Sequence, residues 1–189
     1  MLKKKLFLLF FLPFILGLLI LSGCGIVTPV EIGDSYGGGI VAYILQFGDT
    51  GYNANVQHGL IAAKEDAPYL MAWSNIGDTE IGVAAQGQAI GTGQANTTVI
   101  VGQSGCTDGA AWFCYHLTES SYSDWYLPSK DELNKLYLNQ FTIGGFVAYD
   151  YWSSSESDAG DAWGQNFNSA FRFDDHKSDT YHVRAVRSF

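Results

Sequence analysis

The chain opens on an apolar run from Leu6 to Leu21 that no charge interrupts, and beyond residue 33 its apolar positions come in short groups. Ile40-Val41-Ala42-Tyr43-Ile44-Leu45 is β-branched and aromatic and predicts a strand. Gly48-Asp49-Thr50-Gly51 is turn chemistry, and His58 to Ala63 predicts the returning strand of a hairpin. Residues 74–91 are Gly-rich and weakly patterned, which predicts a long ordered loop. Thr92–Val101 predicts a short helix with Ala95, Val99 and Ile100 inward. Asp108 is placed to cap a second helix over Gly109–Leu117. Pro128-Ser129-Lys130-Asp131-Glu132 starts the clearest helix, because Ser129 and Glu132 have capping-box spacing. Leu133, Leu136, Tyr137 and Gln140 follow at helical intervals, with Leu133 and Leu136 assigned to the core. After Gly144-Gly145 the pattern turns to β: Tyr151–Ser154, then Trp163, Gln165 and Phe167, then Phe171–Phe173. Tyr181, Val183 and Ala185 alternate in a last strand ending at Phe189. A hairpin, then helices, then a C-terminal antiparallel meander argue an α+β fold, with no repeat of fixed period.

The first segment is not part of that fold. Lys3, Lys4 and Lys5 precede the apolar run, and small residues follow it, which is the build of an export signal. The run of 16 residues rises roughly 24 Å as a helix, short of the roughly 30 Å hydrocarbon core, and Pro13 weakens it further as a span. Leu21-Ser22-Gly23-Cys24 resembles the lipobox of bacterial lipoproteins. The resemblance implies cleavage before Cys24 and lipid on that cysteine, with two or three acyl chains anchoring lastingly where one is marginal. Gly25 follows, so nothing resembles the Asp-based inner-membrane retention signal of enteric bacteria. The expected division is a signal peptide at 1–23, a lipidated tether at 24–33 and a domain at 34–189. The expected place is the cell envelope, on the outer surface of a membrane, the outer membrane where the cell has one.

Removing residues 1–23 leaves 166 residues, enough for one domain with a real core, and takes the formal charge from −9 to −12. Such a surface repels nucleic acid and anionic lipid at long range and disfavours polyanionic sugars. Twenty-two glycines, five Trp, eleven Tyr and twelve Phe suit a compact, loop-rich fold pinned by aromatic side chains. Export places Cys106 and Cys114 in an oxidising space, where a pair is usually a disulfide. Two buried free thiols are the alternative, since a local helix can hold the pair apart.

Several strings together resemble one domain family. They are Tyr36-Gly37-Gly38-Gly39-Ile40-Val41, His58-Gly59-Leu60-Ile61-Ala62-Ala63 and Ile90-Gly91-Thr92-Gly93-Gln94-Ala95-Asn96-Thr97. Tyr122-Ser123-Asp124-Trp125-Tyr126-Leu127-Pro128-Ser129 with Glu132-Leu133, Tyr151-Trp152-Ser153-Ser154-Ser155-Glu156 and Arg184-Ala185-Val186-Arg187 complete the set. In this order, over about residues 33–189, they resemble the C-terminal domain of the Legionella collagen-like adhesin and its bacterial relatives. The resemblance implies a C-type-lectin-like fold, related also to the formylglycine-generating enzymes. The adhesin binds sulfated sugars and host surfaces. This chain has no collagen Gly-X-Y segment, and a charge of −12 argues against the same ligand.

Candidate chemistry is sparse. His58, His116, His176 and His182 form no His-Glu-x-x-His, and no Cys cluster has zinc spacing. His58 reads as a structural hydrogen-bonding group. Calcium needs several oxygens together, and two acidic loops offer them: Glu156, Asp158 and Asp161 in one, Asp174, Asp175 and Asp179 in the other. These six are the candidate ligand or calcium residues, although the lectin signatures Glu-Pro-Asn, Gln-Pro-Asp and Trp-Asn-Asp are absent. Trp125, Trp152 and Trp163 suit core packing in strands beside Gly, and Trp152 and Trp163 are also candidate sugar contacts. Arg184 and Arg187 are expected to pair with acidic neighbours. No Gly-x-Ser-x-Gly elbow occurs, and no Cys follows residue 114 to supply the late cysteine pair of the formylglycine-generating enzymes. The expectation is a non-catalytic surface module for a carbohydrate or protein ligand. A structural envelope lipoprotein is the alternative, and an unfamiliar hydrolase the third reading. The sequence leaves the oligomeric state open.

Overall fold

The computed structural model describes residues 28–77 and 79–189; the expected export signal and Cys24, the expected lipidation site, lie outside the described residues. Strands β1 (Ser35–Tyr36), β2 (Gly39–Ile44) and β3 (Gly59–Ala62) come first. Helices α1 (Gly93–Val101), α2 (Ala110–His116), α3 (Lys130–Leu138) and α4 (Gln140–Ile143) follow. Strands β4 (Asp150–Glu156), β5 (Asp161–Asn166), β6 (Arg172–His176) and β7 (Val186–Ser188) close the chain. Four helices and two antiparallel sheets give the expected α+β class.

The hairpin forms as the pattern predicted, with β2 and β3 antiparallel and a register shift between Val41 and Tyr43. The meander needs a correction. β4, β5 and β6 make their own sheet, while β7 leaves them and pairs with β3, giving the order β1-β2-β3-β7. The cause is visible in β3: all four residues of Gly-Leu-Ile-Ala are buried, so this strand needs a partner on each side and layers on both faces. Ile61 faces one core with Trp73, Ile100, Trp125, Leu127 and Trp152. Leu60 and Ala62 face the other, with Tyr126, Leu133, Leu136 and Tyr151.

Beyond β3 and β7 the two chain segments stay together. Backbone hydrogen bonds join Gly59 to Phe189, Ala63 to Ala185, Ala67 to Val183, Met71 to Tyr181 and Trp73 to Lys177. This ladder gives the domain two poles. At the Gly59–Phe189 pole lie the chain entry and the β2–β3 loop; at the other lie residues 69–75 and 177–182.

The capping box of α3 is present. Ser129 N–H donates to Glu132 Oε2 at 2.8 Å, and Ser129 Oγ accepts from Glu132 N–H. Leu133 and Leu136 are buried as expected, and Asn139 separates α3 from the short α4 that contains Gln140. α1 departs from expectation. Ala95 is exposed, and the inward face is Gly93, Asn96, Thr97 and Ile100. Thr97 Oγ1 donates to Gly93 O and accepts from Leu127 N–H, and Asn96 Nδ2 reaches Gly87 O, so these polar side chains are satisfied inside. At α2 the cap is Gly109, not Asp108. Gly109 has φ 111°, and a Cβ there would run into the Ser74 backbone.

The pair Cys106 and Cys114 is also corrected: both are buried free thiols and no bridge joins them. Cys114 sits on the buried face of α2, where burial pushes its thiol pKa up. Cys106 lies in the preceding loop against Ser74 Oγ at 3.8 Å.

Candidate functional site

The six acidic candidates do not gather as one set: Asp158, Asp174 and Asp175 lie near Asp161, while Glu156 is engaged elsewhere. Glu156 is fully buried and paired with Lys177, Oε1 to Nζ 2.7 Å, and its oxygens also accept from Ile81 and Gly82 N–H. Its role is to fix the strap over residues 79–91, and its counter-charge is Lys177, not a bound ion. Asp174 and Asp175 face opposite sides of β6, opposite Trp163 and Ala162 respectively. Asp175 accepts from Tyr181 Oη at 2.6 Å and from His176 N–H, and both hold its carboxyl below the usual range. Asp158 Oδ1 closes a turn by accepting from Gly160 and Asp161 N–H. Asp174 accepts from Ser157 Oγ, and Asp179 is exposed in the next turn. Desolvation, with the nearby charges of Asp158 and Asp174, raises the Asp161 carboxyl pKa. Among the described residues no group of three His, Cys, Asp or Glu side chains is arranged to hold a metal ion.

The aromatic candidates separate in the same way. Trp152 is wholly buried, its indole N–H on Met71 O, and Trp125 is buried beside it in the same core. Trp163 is half-buried, but Lys130 Nζ lies 2.9 Å from its ring centroid. That ring face is therefore taken. Ser153, Ser154 and Ser155 are buried strand residues: Ser153 Oγ donates to Trp163 O and Ser155 Oγ to Gly87 O. His58 Nδ1 lies 3.1 Å from Phe189 O, the structural contact expected of it. Arg184 pairs with Asp66, and Arg187 with Asp124, as expected of both.

A different surface offers a site. At the pole away from the chain entry, two hollows of about 330 and 220 Å³ adjoin at Leu70 and Thr180, and together they are called the groove below. The Met71–Tyr181 backbone bridge links the two hollows, Met71 lining one and Tyr181 the other. Tyr69 is 64% exposed and lines the larger hollow; Tyr149 is 66% exposed and lines the smaller. The Tyr149 ring stacks on His182, centroids 6.0 Å apart. Asp150, held by Asn166 Nδ2, and Asp108, at the other end, supply carboxylates, and among the described residues no Lys or Arg lines the groove. The shape of the site is that of flat apolar faces beside hydrogen-bonding groups. Sequence reading missed it because its residues come from four separate loops or strand ends. The available signal was an aromatic–apolar pair, Tyr69-Leu70, directly after Pro68 in a turn-rich stretch.

No curated protein matches the sequence significantly. Among solved structures, the chain is similar to a fimbrial protein from Bacteroides ovatus ATCC 8483, at 16% identity and a TM-score of 0.47. That match covers 78% of this chain and 43% of the other, so this chain spans less than half the length of that relative. Residues 66–187, well over half of the sequence, match the model of the Lcl C-terminal domain, and the chain belongs to that family.

Proposed function

We propose that this chain is a non-catalytic binding module displayed on a bacterial surface, tethered by lipid on Cys24, that takes an uncharged carbohydrate in the Tyr69–Tyr149 groove. The reading rests on the position of that groove: exposed tyrosine faces and carboxylates stand at the pole opposite the chain entry, where a tethered domain meets its surroundings. Tyrosine gives a flat, rigid, amphipathic contact, and carboxylates accept hydrogen bonds from sugar hydroxyls. The acidic lining and the −12 charge of the domain disfavour sulfated or otherwise anionic sugars. A lectin-like fold is part of the same proposal, supported by the return of β7 to the N-terminal hairpin and by the long irregular strap between β3 and α1.

A glycan array tests this, read with and without calcium, using the wild type and Tyr149→Ala. Neutral glycans retained by the wild type and lost by the variant, with unchanged thermal stability, are expected. Retention of polyanions alone, or of no glycan, overturns it. In the latter case, capture of one envelope protein that Tyr149→Ala abolishes marks a protein ligand in the same groove. The structural alternative, a lipoprotein that packs against neighbours, requires crosslinks to those neighbours in cells.

A further inference from the structure

The pole opposite the groove has its own chemistry. Val30 and the Gln57 side chain exchange two hydrogen bonds, each 2.9 Å, which pins the entering chain to the β2–β3 loop. Thr28, Pro29 and Val30 line a hollow of about 480 Å³ with Tyr36, Val56 and Phe189. Phe189 also lines a second hollow of about 310 Å³, with Leu45, Leu60 and Ile90. Phe47, in the same loop, is 92% exposed and stands edge-on to Tyr52; Val56 is 52% exposed. Single exposed apolar residues are ordinary, but a group of them around open apolar hollows marks an interaction surface.

The length of chain outside the described residues says what meets it. Cys24 is four residues before Thr28. A fully extended chain spans at most about 3.6 Å per residue, so Thr28 lies within roughly 14 Å of Cys24. With acyl chains on Cys24, that cysteine is fixed at the headgroup level, and the entry pole is held against the bilayer. We infer that this pole, carrying Phe47, Val56 and Tyr36, rests on the lipid surface with its apolar side chains in the headgroup–acyl boundary, and that this contact turns the Tyr69–Tyr149 groove outward. The inference rests on the lipidation proposed above and adds an orientation to it.

Charge makes the contact conditional. Long-range repulsion between the acidic domain and anionic lipid keeps an unanchored domain in solution. The tether supplies an effective concentration of order millimolar, at which a weak apolar contact persists. Nearby Asp49 is occupied by the Tyr43 hydroxyl and Gln46 N–H, so it does not stand free toward the surface.

The experiment uses the full acylated chain in vesicles of mixed phosphatidylethanolamine and phosphatidylglycerol, with an environment-sensitive dye on Phe47→Cys, Val56→Cys or Ser178→Cys. Cys106 and Cys114 are buried and do not take the dye in the folded protein. Ser178 stands at the far end of the ladder, beside Lys177. Nitroxide-bearing lipid is expected to quench the dye several-fold more at 47 and 56 than at 178. Equal quenching at all three positions, in protein that floats with the vesicles, overturns the orientation while leaving the anchor intact. Blue-shifted emission at 47 and 56 without lipid quenching indicates a second copy of the chain on this face and also overturns it. Protein that does not float, and whose mass shows no acyl group on Cys24, overturns the anchor and the inference together.

Discussion

Lys177 Nζ lies 2.7 Å from Glu156 Oε1, and neither side chain touches solvent. The ammonium also reaches Ala159 O at 2.8 Å, and the carboxylate holds the Ile81 and Gly82 N–H groups. One buried pair thus ties the 79–91 strap to β4 and to the turn after β6. Lys177→Met leaves a buried carboxylate without its counter-ion and is expected to cost about 3–5 kcal/mol. The double variant Lys177→Met, Glu156→Leu should cost less than the two single changes added together. Urea unfolding of the four proteins checks both statements.

Arg184 is a second buried cation. Its guanidinium donates to Asp66 at 2.6 Å and to the carbonyls of Ala63, Gly144 and Gly145, with Phe146 stacked at 4.1 Å. Lysine carries the charge but not the planar fork. Arg184→Lys is expected to destabilise by roughly 3 kcal/mol, with buried carbonyls left short of donors. Thermal and urea unfolding read the loss.

The two thiols give a chemical test. Because Cys106 and Cys114 are buried and unbridged, a thiol reagent should modify neither in the native protein and both after denaturation. Reducing agent should leave the Tm unchanged. A Tm that falls on reduction would show that the bridge exists in the exported protein.

Acid stability has a defined sign at Asp124. Arg187 donates to it twice, Nε to Oδ1 at 2.7 Å and Nη2 to Oδ2 at 2.8 Å, and holds its carboxyl below the usual carboxylate range. A depressed folded pKa gives stability that is present above the unfolded value, about 3.9, and lost as pH falls through the folded one. Asp124→Asn is expected to unfold more easily at neutral pH and to lose less further stability between pH 5 and 2 than the wild type. Tm measured across that range checks the sign; the effect is small because the carboxylate is half exposed.

The local elements were legible where one side chain or one period decides them. Ser129 and Glu132 announce α3 by their spacing, and the β-branched run at Ile40 announces β2. α1 was read with the wrong face because apolar periodicity does not see Asn96 and Thr97, whose buried partners, Gly87 and Leu127, are distant in sequence. The acidic candidates depend on distant partners in the same way. An Asp-rich string shows charge, but whether a carboxylate is free depends on Lys177 for Glu156 and on Tyr181 for Asp175.

The sequence by itself determined the acidic balance, the α+β class, the capped helix and the family, since these are properties of composition, short spacing and ordered strings. Tertiary structure alone decided that β7 returns to β3, that the cysteines stay apart, and that Tyr69 and Tyr149 flank one groove. Each of those depends on contacts between residues tens of positions apart, such as β3 with β7 or Cys106 with Ser74, which short-range pattern does not encode.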